Sequence, residues 1–339
     1  MNVLELTALA VSEASIKERK CFACGGLPST GKGEHIIPLW LQRSHKLFDK
    51  TIGLINGTRI PYRYLTVPCC EICNTGFLAD IERAVQPNFM KGMITTNNEK
   101  LIMGRWLSKI LLGLLVKETS LLYDRAQPTL GPIVRPSYIE ELEHLHFILN
   151  SARKETTFHC IHGDYPFSIY SYLVRNESPA GKFDLSTNVF GQSVAIRIGE
   201  LAVIFISDGG LQQDIVPKGP FSLLGATVSE YQFRELAARI HYKAALRDAT
   251  HTYLTSESER NISIDQISVR PYSNQILKNG DMRVFRDWDE KVLSEVIEKY
   301  SLVNMTDIFD EDTGKCRTIL IDENGKLLKA SQYLKLPSG

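Results

Sequence analysis

The sequence has no excess charge of either sign, because its 339 residues include 39 lysines and arginines and 39 aspartates and glutamates. A net charge of zero excludes a uniformly basic protein that binds polyanions through its whole surface. Hydrophobic residues make up 43% of the chain and charged residues 23%. This composition is typical of folded proteins and excludes a disordered chain, and at roughly 150 residues per domain the length predicts two or three domains.

The sequence also lacks an apolar run long enough to cross a membrane. Its most apolar stretch, residues 101–116, is interrupted by Arg105 and Lys109, whereas a membrane-spanning helix needs about 20 mostly apolar residues. We therefore predict a buried helix there. Residues 1–20 mix apolar and charged side chains, so we expect no targeting segment, a cytoplasmic location and no membrane partner.

The seven cysteines are an odd number, and five of them lie in the first quarter of the chain. In a cytosolic protein, clustered cysteine pairs favour a metal site over disulfides. Cys21 and Cys24 form one Cys-x-x-Cys pair and Cys70 and Cys73 form another, and each pair can direct two thiolates to one tetrahedral zinc ion. Cys69 is an alternative to Cys70, and the sequence leaves open which of the two binds zinc.

A long insert separates the two cysteine pairs, whereas the pairs of a compact zinc ribbon are about 15–20 residues apart. The insert contains Gly-Glu-His-Ile-Ile-Pro at residues 33–38, and Asn74 directly follows the second pair. Over residues 18–85, this combination of motifs resembles the HNH nuclease family. The resemblance implies a ββα-metal fold stapled by zinc, and metal-dependent hydrolysis of phosphodiester bonds in nucleic acid.

The resemblance also implies roles for individual residues. His35 would be the general base, Glu34 would bind a catalytic Mg²⁺ or Mn²⁺ ion, and Asn74 would complete this catalytic metal site. The chemistry agrees, since histidine titrates near neutral pH and carboxylate and amide oxygens suit a hard cation. Adjacent residues of a strand point to opposite faces, so we expect either a bent backbone at Glu34 or a metal ion at the strand edge.

Two departures from the family pattern concern this site. The asparagine that usually orients the catalytic histidine through its backbone is missing from residues 64–67, and Asn56 lies too far upstream to be assigned this role. The last ligand, often a histidine, is Asn74 here, with Asp80 and Glu82 as substitutes at irregular helical spacing. A degenerate domain without activity is therefore an open alternative.

Basic side chains around the insert are the candidates for contacts with nucleic acid, because phosphate neutralisation depends on clustered lysine and arginine. These candidates are Lys32, Arg43, Lys46 and Arg63. An ordinary solvated surface explains them nearly as well. We expect nucleic acid as the partner, with DNA as the substrate.

Local patterns predict the secondary structure. Helical periodicity occurs in residues 4–17, 100–122, 138–149 and 229–247. Asn74 is expected to cap a helix that Pro87 ends. Runs of β-branched and aromatic residues typical of antiparallel strands occur in residues 168–174, 193–198 and 201–206.

These patterns predict an α+β protein with an N-terminal zinc-stapled ββα-metal (HNH) domain and a larger region of helices and antiparallel sheet. We expect the HNH nuclease domain in residues 1–89, an α+β domain for partner or substrate binding in residues 90–255, and a small C-terminal α/β segment in residues 256–339.

The predicted function is that of an HNH-type endonuclease, a hydrolase. Its layout resembles effectors of bacterial anti-phage defence, in which a sensing partner unleashes the nuclease, so we expect the C-terminal region to bind a partner protein or to self-associate. The alternative is a non-catalytic zinc-binding module that stabilises a surface for nucleic acid or protein.

Overall fold

The structure is a computed structural model that describes residues 5–6, 11–29, 31, 33–175, 183–211, 226–271, 284–301, 303, 308–322 and 324–329. The fold is mixed, with helices and several small sheets, which confirms the predicted α+β class. Among the described residues, no helix is both long and apolar enough to cross a membrane.

The elements are numbered in chain order. The helices are α1 (Glu13–Lys17), α2 (Leu39–Ser44), α3 (Glu71–Thr75), α4 (Phe77–Lys91), α5 (Asn97–Thr119), α6 (Pro136–Glu141), α7 (Glu143–Asn150), α8 (Glu230–Ala245) and α9 (Glu290–Ser301). The strands are β1 (Glu5–Leu6), β2 (Glu34–His35), β3 (Thr51–Gly53), β4 (Arg59–Pro61), β5 (Thr66–Val67), β6 (Glu155–His159), β7 (Ser168–Val174), β8 (Phe183–Asn188), β9 (Ser193–Ile198), β10 (Leu201–Ile206), β11 (Thr227–Val228), β12 (Ala249–Glu257), β13 (Asn261–Pro271), β14 (Phe309–Asp310) and β15 (Lys315–Cys316). Short 3₁₀ helices span Tyr62–Tyr64 and Pro128–Leu130.

The chain divides into two compact units. The first unit consists of Met1–Pro87, Thr96–Pro166 and Tyr253–Ile267, and the second unit consists of Asn88–Thr95, Phe167–Thr252 and Ser268–Gly339. This division differs from the three consecutive segments predicted from the sequence, because residues 253–267 belong with the N-terminal part of the chain.

The first unit contains several pairs of short, hydrogen-bonded strands. Strand β2 pairs antiparallel with β5, with Glu34 opposite Val67 and His35 opposite Thr66, and β3 pairs antiparallel with β4. A four-stranded sheet has the order β1-β12-β13-β6. The β2–β5 ladder brings the segment that carries Glu34 and His35 next to the strand that leads into the second cysteine pair.

Helix α5 supplies much of the core of the first unit. A capping box fixes its start, since the Thr96 hydroxyl accepts the N–H of Glu99 and the Glu99 carboxylate accepts the N–H of Thr96. Its buried residues include Trp106 and a nearly continuous run to Val116. The buried helix predicted from the sequence is thus confirmed, and the few polar side chains within it need partners in the core.

Glu118, near the end of α5, is a buried carboxyl group. Its Oε1 accepts the N–H of Ile55 at 3.3 Å, whereas no donor within the described part of the chain contacts its Oε2. Burial raises the pKa of Glu118 from 4.5 to about 7. Ionisation of this group therefore opposes folding at neutral pH.

We expect the stability of the protein to depend on pH through Glu118. Because its pKa in the folded state lies above 4.5, the group's contribution to stability is fully present below pH 4.5 and is lost as the pH rises through 7. This loss is on the order of 2–3 kcal/mol. Glu118→Gln, which cannot ionise, should lack this dependence in urea titrations between pH 4 and 9. Glu141→Gln, at an exposed site on α6, is the control, and a pH-independent difference between Glu118→Gln and wild type would contradict the prediction.

The second unit contains a five-stranded sheet of order β11-β7-β10-β9-β8. Strands β7, β9 and β10 have the bounds predicted from the sequence, and β10 pairs antiparallel with both of the others. Apolar residues of α8 such as Leu236 and Ile240 share one core with Tyr170 and Ile204 of the sheet. Runs of β-branched and aromatic residues were therefore sufficient to predict these central strands.

Three local predictions are wrong. Glu5–Leu6 is a strand that pairs with β12 rather than the start of a helix. Asn74 lies inside α3, whose N-cap is Cys70, because the Cys70 sulfur accepts the N–H of Cys73. Pro87 lies inside α4 and does not end it.

Candidate metal centre

The first cysteine pair lies in a tight turn of the backbone. The N–H of Gly25 donates to the carbonyl oxygen of Cys21 at 2.8 Å, and the N–H of Cys21 donates to the carbonyl oxygen of Gly26 at 2.8 Å. Gly25 has a φ of +71°, a conformation that glycine adopts without steric cost. The N–H of Gly26 lies 3.4 Å from the Cys24 sulfur and can donate to it, so the turn fixes the direction of this side chain.

The second cysteine pair lies at the start of α3. The Sγ of Cys70 accepts the N–H of Cys73 at 3.4 Å. Backbone hydrogen bonds join the two pairs, since the N–H of Phe22 donates to Pro68 at 3.0 Å and the N–H of Ser29 donates to Cys69 at 3.0 Å. Two segments far apart in the sequence are thereby held side by side.

The sulfurs of Cys21, Cys24, Cys70 and Cys73 all lie within 4.8 Å of one another. A tetrahedral site with Zn–S distances of 2.3 Å requires sulfur–sulfur separations of about 3.8 Å, and the separation between Cys24 and Cys70 is 3.7 Å. The four-cysteine cluster can therefore hold a metal ion such as zinc. The cluster contains Cys70 and not Cys69, although Cys69 lies beside it, with its sulfur 3.9 Å from that of Cys21.

The pKa values of these thiols reflect the crowding of the sulfurs. Hydrogen bonds with Cys69 and Cys73 hold the pKa of Cys21 far below its usual range. The hydrogen bond with Cys21, and then burial, raise the pKa of both Cys69 and Cys73, and burial raises the pKa of Cys24. A bound zinc ion would supply positive charge that neutralises clustered thiolates.

Strand β2 gives Glu34 and His35 different environments. Glu34 is only 7% exposed, whereas His35 is half-buried. The ladder continues beyond β2, since the N–H of Ile36 donates to the carbonyl oxygen of Leu65 at 2.9 Å. This difference in burial agrees with the alternation of side chains along a strand, so Glu34 faces the core and His35 the less buried side.

Inside the core, Glu34 contacts the ammonium group of Lys109. Lys109 lies on α5 and is 1% exposed, and its Nζ also contacts Glu82 of α4 and donates to the main-chain oxygen of His35 at 3.3 Å. Burial alone lowers the pKa of Lys109, but attraction to Glu34 and Glu82 outweighs burial and raises it. We call Glu34, Glu82 and Lys109 the acidic triad.

The acidic triad contains Glu34, a predicted ligand of the catalytic metal ion. Its two carboxylates and one ammonium group give a net formal charge of −1, and its ligand atoms are oxygens, so its donor set suits a hard cation. However, Lys109 already engages one oxygen of each carboxylate. Burial also raises the pKa of Glu82. A higher pKa favours the neutral form of this carboxyl group, which lowers the negative charge of the acidic triad.

Lys109 is the residue of this site that the sequence analysis did not identify. Lysine is almost never fully buried unless it is paired. A lysine within the apolar residues 101–116 was therefore a signal for buried carboxylates elsewhere in the chain. The sequence could not show which carboxylates, because Glu34 and Glu82 lie far from Lys109 along the chain.

The other candidate residues have varied surroundings. Asn74 is half-buried within α3, and the exposed Asp80 contacts Arg83. Arg43 and Lys46 are exposed. Arg63 contacts Asp49, and its guanidinium lies 4.9 Å from the centre of the Tyr64 ring. Lys32 lies outside the described residues, and the predicted contacts of these basic residues with nucleic acid stay predictions.

Comparisons of the sequence with protein-family models and with curated proteins, and of the fold with solved structures, give no significant match. The resemblance of the motifs to the HNH family therefore stays a prediction.

Proposed function

We propose that the first unit is a zinc-stabilised endonuclease domain that hydrolyses phosphodiester bonds of nucleic acid, with DNA as the substrate. The observation that carries this proposal is the placement of His35. It lies on a strand paired with β5, and β5 leads directly into the four-cysteine cluster and the helices α3 and α4. Between β2 and β5 the chain forms α2, β3, β4 and a 3₁₀ helix, and the ββα-metal arrangement is part of the proposal.

In this proposal, His35 removes a proton from the attacking water. Its side chain is half-buried and therefore partly exposed to solvent, while the ladder with Thr66 holds its backbone. A divalent Mg²⁺ or Mn²⁺ ion held by Glu34 and Asn74 would neutralise charge that develops on the phosphate. Because Glu34 faces the core and contacts Lys109 while His35 faces the less buried side, this role requires the ion to lie at the edge of β2. The exposed side chains of Arg43 and Lys46, together with Arg63, would attract the nucleic-acid backbone.

We assign the contact with nucleic acid to the first unit, because Arg43 and Lys46 are exposed there, whereas the basic side chains of α8 have partners in the second unit. Arg234 pairs with Asp184 at 2.9 Å, Arg239 pairs with Glu235 at 2.7 Å, and Lys243 donates to the carbonyl oxygen of Arg286 at 2.7 Å. We propose for the second unit the binding of a partner protein or self-association, as in an effector of anti-phage defence whose nuclease a partner activates.

One observation favours a second candidate, a non-catalytic zinc module that binds nucleic acid or protein. Glu34, the proposed ligand of the catalytic metal ion, is already in contact with Lys109. A domain whose acidic residue serves only this internal contact would keep its fold and its zinc site without cutting nucleic acid.

The experiment that separates the two candidates is a cleavage assay with supercoiled DNA, linear DNA, single-stranded DNA and RNA, with Mg²⁺ or Mn²⁺ and with EDTA. We expect basal wild-type cleavage that requires the metal ion and that the activating partner raises further. His35→Ala should lower the cleavage rate by about 100-fold to 10,000-fold, the usual contribution of a general base, without changing the zinc content or the circular dichroism spectrum.

His45→Ala is the matched control. His45 lies in the same region of the chain, is half-buried, and has its Nδ1 2.8 Å from the Ser44 hydroxyl. We expect this variant to cleave at the wild-type rate. Unchanged cleavage by His35→Ala would contradict the role of His35 as general base, and no cleavage of any substrate by the wild type would favour the non-catalytic candidate.

A further inference from the structure

We infer that Lys109 is a positioning residue that fixes the backbone of His35 from inside the core. This inference rests on the proposed function only for its catalytic consequence. Its structural part, the anchoring of residue 35, is independent of whether the protein cuts nucleic acid.

The hydrogen-bonding capacity of Lys109 matches its surroundings. An ammonium group has three N–H donors and no acceptor, and the three acceptors around Nζ are an oxygen of Glu34, an oxygen of Glu82 and the main-chain oxygen of His35 at 3.3 Å. Two of these acceptors belong to β2. The ammonium group thus holds both residues of this two-residue strand, one through its side chain and the other through its peptide group.

Helix α5, which carries Lys109, packs closely on the segment that contains His35. Gly113 lies one turn beyond Lys109 on the same side of the helix, and a Cβ atom added there would lie only 3.0 Å from Cγ1 of Ile36. Helix α5 therefore packs directly on the residue that follows β2. On the other side, the N–H of Ile36 donates to Leu65, so the segment 34–36 is held between the helix and β5.

The contact with Lys109 explains how a strand of only two residues can keep the His35 side chain in one orientation. Such a short ladder has few hydrogen bonds of its own and would fray easily. A lysine whose charge is fixed by two carboxylates resists displacement of the His35 carbonyl, because movement would leave a buried N–H unpaired. Lys109 is itself buried and does not contact substrate, so its effect on the reaction would act through the direction of the His35 ring.

The test compares Lys109→Met with the double variant Lys109→Met/Glu82→Gln. The single variant leaves two buried carboxylates without their cation and can lose its fold. The double variant has the same formal charge of −1 at this place as the wild type and keeps a side chain of similar size. Lys117→Met, two turns further along α5 at a half-buried site, is the control. Zinc content and circular dichroism verify that each variant is folded.

Two quantities are measured. The first is hydrogen–deuterium exchange of peptides that cover residues 33–37, which we expect to be at least about 10-fold faster in the double variant and unchanged in Lys117→Met. The second is cleavage, for which we expect kcat to fall by about 100-fold, the usual effect of a small misplacement of a reacting group, with KM changed less than about 3-fold. If Lys109 only stabilised the fold, a folded variant would keep both the kcat and the KM of the wild type.

The outcomes are distinguishable. Unchanged exchange at residues 33–37 in the folded double variant overturns the inference, as does a wild-type kcat in that variant. If the wild type cuts no nucleic acid, the proposed function fails and the exchange measurement alone decides whether Lys109 anchors His35.

Discussion

Cys70→Ser is expected to reduce the zinc content of the purified protein from one ion per chain to a small fraction of one. Structural zinc contributes about 10–16 kcal/mol to the folding of small domains, and the four sulfurs of the cluster lie within 4.8 Å of one another, where each contributes one bond to the ion. Losing one thiolate should lower the free energy of unfolding of the first unit by about 5 kcal/mol or more. The unfolding temperature should then fall by about 10 °C or more.

Cys69→Ser is the matched control for this prediction. Cys69 is the neighbouring residue and is also close to the cluster, with its sulfur 3.9 Å from that of Cys21, but it is not one of the four clustered cysteines. We expect this variant to retain one zinc ion per chain. Elemental analysis of both variants checks the prediction, and zinc loss in Cys69→Ser with retention in Cys70→Ser would reverse the ligand assignment.

Gly33→Ala is expected to lower the free energy of unfolding by about 3 kcal/mol or more. A Cβ atom at residue 33 would lie 2.2 Å from the carbonyl oxygen of Val67, and Val67 pairs with Glu34 in the β2–β5 ladder. The obstacle is backbone, which cannot move aside as a flexible side chain can, so the cost exceeds that of ordinary overpacking in a core. Urea titration followed by fluorescence measures the loss.

Gly31→Ala provides the comparison within the same loop. A Cβ atom at Gly31 would have no neighbour within 4 Å, so this variant should match the wild type within about 0.5 kcal/mol. Equal stability of the two alanine variants would show that β2 does not lie against β5 as the structure describes.

The cysteine pairs show what the sequence could predict. Their spacing identified a metal site because the short Cys-x-x-Cys turn itself determines where two sulfurs point, and the structure brings both pairs together. The choice between Cys69 and Cys70 was not predictable, because it depends on how α3 begins. The Cys70 sulfur accepts the N–H of Cys73 at the first turn of that helix, which directs it toward the cluster.

The strands of the second unit were predictable for a different reason. The bounds of β7, β9 and β10 follow from runs of large apolar residues, a signal that local sequence carries fully. The prediction failed at Glu5–Leu6, which pairs with residues of β12 about 250 positions later. A pairing over such a distance leaves no trace in the periodicity of the segment itself.

The acidic triad was predictable from the sequence only in part. The resemblance of the motifs implied that Glu34 is a metal ligand, and Glu82 was named only as a substitute ligand. The structure places the ammonium group of Lys109 between the two carboxylates. Three segments far apart in the chain converge there, so only the tertiary structure could show that the charge opposite Glu34 is a lysine.

Zinc bound by four thiolates next to the segment that carries His35 is the basis of the proposed domain. X-ray absorption at the zinc edge of the purified wild-type protein measures this coordination. We expect one zinc ion per chain with four sulfur neighbours at about 2.3 Å. A protein that contains no zinc after expression in zinc-supplemented medium, or a zinc ion whose neighbours are mainly nitrogen or oxygen, would contradict it.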